Sequence, residues 1–340
     1  MEISQKEIAK MTGVSVTTVS NVCNNKIKGK MSKKTYEKIK KIIDITDYSP
    51  NPIASTLRSG LSKVIAIILP STTNPYYTQL SYFIENEAYK HELLTFVCNS
   101  NSNIDREKKY LNILKNHKVR GILLCSTELI NYEIKNILDL SERTNIILLD
   151  EEIDNFKGHV IVGDDYLGGY KAAKYLHNLG HKNILTITGP KKLISTNKRL
   201  KGFIDYLSIT DKKINKELLF EGNFDIESGY DCVYRAIKKN LKFTAVFAFN
   251  DLMAIGAIQS LFDNKIKIPS EVSILGYDDI FVDKYFTPKI TTIAPPLDEI
   301  AKKAVNILIK NINNGVKKSV QKPFLVEPVL IERESCKKII

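Results

Sequence analysis

No stretch of this 340-residue chain is long and apolar enough to span a bilayer, and Met1 leads into a polar segment instead of a charged start followed by an apolar run. Neither a membrane protein nor an exported one is expected. Cysteine is scarce: Cys23, Cys98, Cys125, Cys232 and Cys336 form an odd, scattered set with no C-x-x-C pair, which argues against a redox or metal role. Cys98 and Cys125 end apolar runs, where a reduced thiol acts as a small hydrophobe, so a reducing cytoplasm fits. His91, His117, His159, His177 and His181 show no metal-ligand spacing. There is no G-x-G-x-x-G after the first apolar strand and no G-x-x-x-x-G-K-[ST], and the run from Gly163 to Gly169 has the wrong spacing for either. A dehydrogenase or kinase is therefore disfavoured, and no catalysis, cofactor or metal is expected.

What is present begins with ordinary globular composition, 43% apolar and 26% charged, in a length sufficient for two or three compact units. The net charge of +12 is concentrated at the start, where residues 1–60 carry eleven basic side chains against five acidic ones. In the same region Ser4 with Glu7 forms a capping box that opens one helix, and Ser15 is a natural N-cap for a second. Gly13 between them supplies the φ > 0 of a tight turn. Ile8 and Ala9 are placed to pack with Val14, Val19 and Val22, leaving Val16, Thr17 and Asn21 on the opposite face. A third helix is expected from after Ser32 to about Asp44, with Ile39, Ile42 and Ile43 closing a small core. A basic head with a helix-turn-helix puts one helix face in the DNA major groove and neutralises phosphates around it.

These residues, Ile8-Ala9-Lys10, Gly13-Val14-Ser15 and Thr18-Val19-Ser20 before Asn24-Asn25, resemble the DNA-reading head of the LacI/GalR repressor family. The resemblance continues in order through Tyr48-Ser49-Pro50-Asn51-Pro52-Ile53-Ala54, Leu57-Arg58, Asn74-Pro75-Tyr76-Tyr77, Gly121-Ile122, Leu148-Leu149-Asp150, Leu179-Gly180-His181, Asn250-Asp251-Leu252-Met253-Ala254-Ile255-Gly256 and Gly276-Tyr277-Asp278-Asp279. It thus covers nearly the whole chain.

From Lys63 onward, apolar runs alternate with amphipathic helices, which is the pattern of a parallel sheet covered on both faces. Strands are expected at Val64–Leu69, Leu93–Val97, Gly121–Leu124 and Ile146–Leu149, with helices near 76–91, 105–117 and 130–141. A second series has strands at Ile184–Thr188, Leu218–Glu221, Ala245–Phe249 and Val272–Leu275. The expected class is α/β: a three-helix helix-turn-helix head, then two doubly wound parallel sheets facing each other across a cleft. The resemblance implies a periplasmic-binding-protein-like core whose chain crosses between lobes three times. The boundaries are then 1–48 for the head, 49–61 for a hinge, 62–163 with 293–322 for the first lobe, and 164–292 with 323–340 for the second. The last strand, near 324–331, is assigned to the second lobe.

Ligands of open parallel sheets collect at the carboxyl ends of strands. Those loops carry Asn74, Tyr76, Tyr77, Asp150 and Asp164, then Ser195, Arg199, Phe224, Asn250 and Asp278. Rings, carboxylates, amides and one arginine suit a polyhydroxylated molecule. The resemblance implies Arg199 and Asp278 as polar clamps, Asn250 as a hydroxyl partner and Phe224 as a stacking platform. Several of the candidates have a structural alternative: Asn74 as a helix cap, Asp150 as a strand-end carboxylate, Tyr76 and Tyr77 as core, and Arg199 as a solvated helix residue. The family often has arginine directly after Leu-Asp, and here Glu151-Glu152 follows Asp150; if Glu151 points into the cleft, a neutral sugar is favoured over a sugar phosphate.

In the head the resemblance implies base contacts from Val16, Thr17 and Asn21 and phosphate contacts from Thr18 and Ser20. Asn21 stands where arginine is common, which moves the preference from guanine toward adenine. Ala54 and Leu57 fall in the hinge, where Leu57 occupies the place of a minor-groove wedge or packs against its mate in a dimer. The expected partners are a pseudo-palindromic DNA operator, a small-molecule effector of the sugar class and a second copy of the chain; a dimer is expected in preference to a self-contained tetramer, since the tail after Arg333 is too short for a heptad zipper. The alternatives are control by a phosphocarrier protein or a nucleobase corepressor and, from another class, a sugar-binding transport protein.

Overall fold

The computed structural model describes residues 3–23, 31–48, 62–126, 145–153, 156–210, 215–314 and 322–339. The hinge with Ala54 and Leu57, and the helix expected near 130–141, lie outside the described residues. The chain divides into two units, Met1–Ser62 and Lys63–Ile340.

In the first unit, α1 (Gln5–Thr12), α2 (Val16–Cys23) and α3 (Lys33–Thr46) follow their capping signals. The Ser4 backbone N–H donates to Glu7 Oε2 at 2.7 Å, and Glu7 N–H returns to Ser4 Oγ at 3.3 Å. Gly13 takes φ 70° and its N–H closes on the Ala9 carbonyl, a conformation that costs a residue with a Cβ. Ser15 and Ser32 cap α2 and α3 through Thr18 N–H and Thr35 N–H, each at 3.1 Å. Ile8, Ala9, Val19, Val22 and Ile39 form the buried centre, and Lys38 Nζ ties α3 to the Thr12 carbonyl at the end of α1.

The second unit is built on two six-stranded sheets. The first contains β1 (Val64–Leu69), β2 (Leu94–Asn99), β3 (Ile122–Cys125), β4 (Ile146–Leu149), β5 (His159–Gly163) and β11 (Phe324–Val326), in the order β11-β5-β4-β3-β1-β2. All its pairings are parallel. Alternate residues of β1 serve opposite faces: Ile65, Ile67 and Leu69 pack under α4 (Pro75–Tyr89) and α10 (Leu297–Asn314), while Ala66 and Ile68 face Leu111 and Leu114 of α5 (Ile104–Asn116).

The second sheet repeats the order as β12-β10-β9-β8-β6-β7, from β6 (Ile184–Thr188), β7 (Leu219–Glu221), β8 (Ala245–Ala248), β9 (Ser273–Tyr277), β10 (Thr291–Ala294) and β12 (Val329–Ile331). Its helices are α6 (Asp165–Asn178), α7 (Ile194–Ile209), α8 (Ile226–Lys238) and α9 (Asp251–Asp263). Only β12 runs antiparallel among the described pairings of this sheet.

Two expected boundaries change. The stretch 324–331 is two strands in different lobes, because Pro328 has no N–H for a ladder and ends the pairing: β11 joins β5 and β12 joins β10. Likewise Ile293 and Ala294 stay in β10 of the second lobe, and the chain leaves it at Pro295-Pro296. The chain therefore passes between sheets after β5, after β10 and after β11.

Candidate functional site: an interlobe cleft and a reading helix

The carboxyl ends of the strands converge on one cleft between the two sheets of the core. Asn74, Tyr76, Tyr77, Asp150, Ser195, Arg199, Phe224, Asn250 and Asp278 all line it, together with Glu151 and Leu193. Its cavity volume of about 50 Å³ leaves room for a few water molecules, so the lobes lie close together.

From the first lobe, Asn74 caps α4 through Tyr76 N–H at 3.0 Å while standing at the cleft wall. Its cap role and its cleft position coexist, because only the amide oxygen is used in the cap. Tyr76 and Tyr77 meet edge to face with centroids 5.1 Å apart. Tyr77 donates its hydroxyl to Asp150 Oδ2 at 2.8 Å. Burial pushes the Asp150 carboxyl above its ordinary range, and the hydroxyls of Tyr76 and Tyr77 pull it back. Asp150 holds φ 71°, Phe224 φ 61° and Asp278 φ 112°. Left-handed backbone at a residue with a Cβ is unfavourable and is held there by the surrounding structure.

From the second lobe, Arg199 is already engaged. Its Nη2 and Nε donate to Asp165 Oδ1 at 2.6 and 3.1 Å, Nη1 donates to the Phe249 carbonyl, and the guanidinium lies 3.4 Å from the Tyr277 ring centroid. Burial alone would lower the Arg199 pKa, but Asp165 and the other acids around it raise it, so the side chain stays charged. Asp165 is brought within reach by backbone contact between α6 and α7. A Cβ on Gly169 would fall 1.9 Å from the Arg199 carbonyl, and one on Gly202 would fall 1.8 Å from that of Tyr166.

Nothing in the sequence pattern singles out Asp165. Its neighbour Asp164, at the end of the crossing strand, caps α6 through Leu167 N–H at 2.9 Å. In an Asp-Asp pair opening a helix, capping engages the first carboxylate and leaves the second to turn inward. Asn250 also has both ends of its amide occupied, by Met253 N–H at 2.9 Å and the Phe224 carbonyl at 3.0 Å. No hydrogen bond from a described side chain reaches the Asp278 carboxyl, which burial raises well above its usual range.

Several bonds cross the cleft. Glu151, buried after β4, accepts from Ser195 N–H at 3.2 Å and from the Ser195 hydroxyl. Lys198 pairs with Glu152. Outside the lining of the cavity, Gln79 of the first lobe donates to the Asp279 carbonyl at 3.2 Å and accepts from Phe281 N–H at 2.6 Å. Burial, and then the nearby Asp150, push the Glu151 carboxyl up to about 8.

In the head, residues of α2 are set about 100° apart, which puts Val19 and Val22 on the core and Thr17 and Asn21 away from it. Val16 sits at the edge of the two faces and packs in part against the core, so it is less fully presented than the sequence pattern implied. Thr18 is held by Ser15 through a 2.8 Å hydroxyl contact.

Residues 62–326 match the family described as periplasmic binding proteins and sugar binding domain of LacI family, and residues 4–51 match bacterial regulatory proteins, lacI family. The chain belongs to the LacI family. It is accordingly a DNA-binding transcriptional regulator with an effector-binding core. A relative called HTH-type transcriptional repressor PurR, from Histophilus somni, is 32% identical over 98% of both chains. The lac repressor dimer bound to operator and the anti-inducer ONPF superposes with a TM-score of 0.86 over 99% of this chain and all of the other, at 22% identity. A LacI family regulator from Enterococcus faecium with bound ribose aligns with a TM-score of 0.71 at 28% identity, covering 82% of this chain and all of that one. Among the described residues no helix is long and apolar enough to cross a membrane.

Proposed function

We propose that this LacI-family protein is a repressor whose affinity for operator DNA is set by a small polyhydroxylated effector of the sugar class bound between the lobes. The observation that carries the proposal is the cleft itself: residues drawn from both lobes line one cavity, and the lobes are joined near it by the bonds Ser195 donates to Glu151, by the Lys198–Glu152 pair and by Gln79 with Asp279 and Phe281. A ligand entering so narrow a space alters the angle between the lobes, and an equilibrium between two lobe angles is what differential binding shifts. The ribose held by the Enterococcus faecium relative favours a sugar over other small molecules.

Within the cleft, Asp278 and Asp150 accept hydrogen bonds from hydroxyls, the Asn74 amide nitrogen donates one, and Phe224 covers an apolar ring face. Arg199, held by Asp165, shapes the pocket wall and donates with what remains of its fork. Thr17 and Asn21 read base edges, with Val16 at the margin, while Thr18 and Ser20 hold phosphates. Leu57 and Ala54 act in the hinge at the minor groove. The protein works in the cytoplasm as a dimer. Tyr82 and Tyr89 of α4 and Leu94, Phe96 and Val97 of the edge strand β2 are exposed apolar residues of the first lobe, suited to cover by a second copy.

Thermal unfolding of the full chain against a panel of neutral sugars, sugar phosphates and nucleobases tests the reading. A ligand that binds the native state raises the midpoint. A neutral sugar alone in raising it supports the proposal; a nucleobase alone, or nothing, overturns the sugar assignment.

A further inference from the structure

Behind the loop that carries Asp278 into the cleft, two buried acids meet face to face. Asp283 opens a short 3-10 helix, Asp283–Tyr285, and is fully buried. Among the described residues it is the only acid with both carboxyl oxygens buried and no donor in reach. The group that faces it is the carboxyl of Asp251, the first residue of α9. Asp251 is buried as well, and its oxygens accept the Thr292 hydroxyl at 2.7 Å and the Ile280 N–H at 3.2 Å. Gly276 in β9 makes room for it, since a Cβ there would fall 1.9 Å from Asp251 Oδ1.

Two ionised carboxyls have no hydrogen to place between them, and their charges repel strongly out of water. One proton resolves both difficulties. Both Asp251 oxygens already act as acceptors, so the O–H belongs to Asp283 and is donated to Asp251. The other groups around the pair do not replace that proton. Asp278 and Asp279 of the same loop are further acids, and Arg333, which faces the pair from beyond β12, is bonded to Asp279 and to the Ile290 carbonyl. Lys284 is exposed, and Lys289 pairs with Glu334. Burial, and then the Asp251 carboxyl, accordingly raise Asp283 far above its ordinary value.

We propose that Asp283 and Asp251 share one proton and that this acid pair is a pH-sensitive latch holding the loop 278–286 in place. The loop is bonded to Gln79 of the first lobe through the Asp279 carbonyl and the Phe281 N–H, and Asp251 holds the Ile280 N–H between them. Opening the loop returns Asp283 to water, where it ionises, so opening releases a proton. A joint between the lobes therefore loosens as pH rises. The inference stands on the acid pair and does not require the cleft to bind a sugar.

The test is hydrogen exchange of the full-length protein, read by mass spectrometry on peptides covering 278–286 and β8 and corrected for the intrinsic pH dependence of exchange. Each proton released on opening multiplies the opening equilibrium by about tenfold per pH unit, and the range from about pH 7 to about pH 9 is used because Asp251, at about 6, is already ionised there. Wild type is expected to show a slope steeper by one proton than Asp283→Asn, whose amide donates to Asp251 without titrating. Asp278, also raised by burial, is common to both proteins and cancels in the difference. Asp251→Asn, whose amide donates to an ionised Asp283, is expected to lose the same proton and carries the comparison should Asp283→Asn fail to fold. Asp283→Ala removes the donor and is expected to open the loop about tenfold more than Asp283→Asn, with β8 unchanged. Equal slopes in wild type and the folded asparagine variant overturn the shared proton. An equal change of slope in β8, or a loop as well closed in Asp283→Ala as in Asp283→Asn, overturns the latch.

Discussion

Asp165 and Arg199 form a buried ion pair across two helices of the second lobe, with Nη2 at 2.6 Å from Oδ1 and both side chains about nine-tenths buried. Removing one partner of such a pair leaves the other charged and desolvated, which typically costs about 3–5 kcal/mol. Asp165→Ala is expected to destabilise the core by that order in urea unfolding. Lys201→Ala, which breaks the exposed Lys201–Asp205 pair, is expected to change stability by less than about 1 kcal/mol. Similar losses in the two variants would contradict the account of the pair.

The backbone approach that permits this pair depends on Gly169. A methyl group there meets the Arg199 carbonyl at 1.9 Å, and backbone cannot yield as a flexible side chain does. Gly169→Ala is expected to separate α6 from α7 and to cost about 1–3 kcal/mol. Unfolding of Gly169→Ala and of the double variant with Asp165→Ala measures the coupling, which is expected to be non-additive because both changes act on one contact.

Glu151 gives a pH dependence with a definite sign. Its ordinary value of 4.5 rises to about 8 in the folded protein, so between those values the native state binds a proton that the unfolded chain releases. Stability contributed by this group is therefore full below about pH 4.5 and falls as pH rises toward about 8. Asp251, raised by burial to about 6, adds to the fall in the lower part of the window. Glu151→Gln is neutral throughout and is expected to flatten the decline of the unfolding midpoint across this range. An unchanged profile in the variant would show that Glu151 titrates normally.

In the head, Asn21 is turned away from the Val19–Val22 core. Asn21→Ala is expected to weaken specific operator binding by about 1–3 kcal/mol while leaving non-specific binding and its salt slope nearly unchanged. Equal loss on specific and random duplexes, followed by fluorescence anisotropy, would assign Asn21 to the phosphates instead.

Much of this architecture is legible in residue order because parallel strands buried on both faces are continuous apolar runs, and the loops after them converge by topology. That is why Asn74, Asp150, Asn250 and Asp278, distant in sequence, line one cavity. What sequence reading missed depends on partners in space. The commitment of Arg199 to Asp165 follows from α6 and α7 touching at Gly169 and Gly202, which no periodicity reveals. The tie of Glu151 to Ser195 follows from the approach of one lobe to another. The division of 324–331 into β11 and β12 is marked in the sequence by Glu327-Pro328, where the proline's missing N–H interrupts the apolar run.

The measurement that bears most directly on effector control is operator affinity with and without the sugar that raises the unfolding midpoint, using a duplex selected by the full-length protein from a random library. Wild type and Asp278→Asn are compared. The account predicts that the sugar changes wild-type affinity by about tenfold or more, corresponding to about 1.4 kcal/mol of coupling between cleft and head. It also predicts that Asp278→Asn binds the duplex as wild type does and no longer responds. A sugar that binds wild type tightly while leaving operator affinity unchanged would contradict control of the head by the cleft.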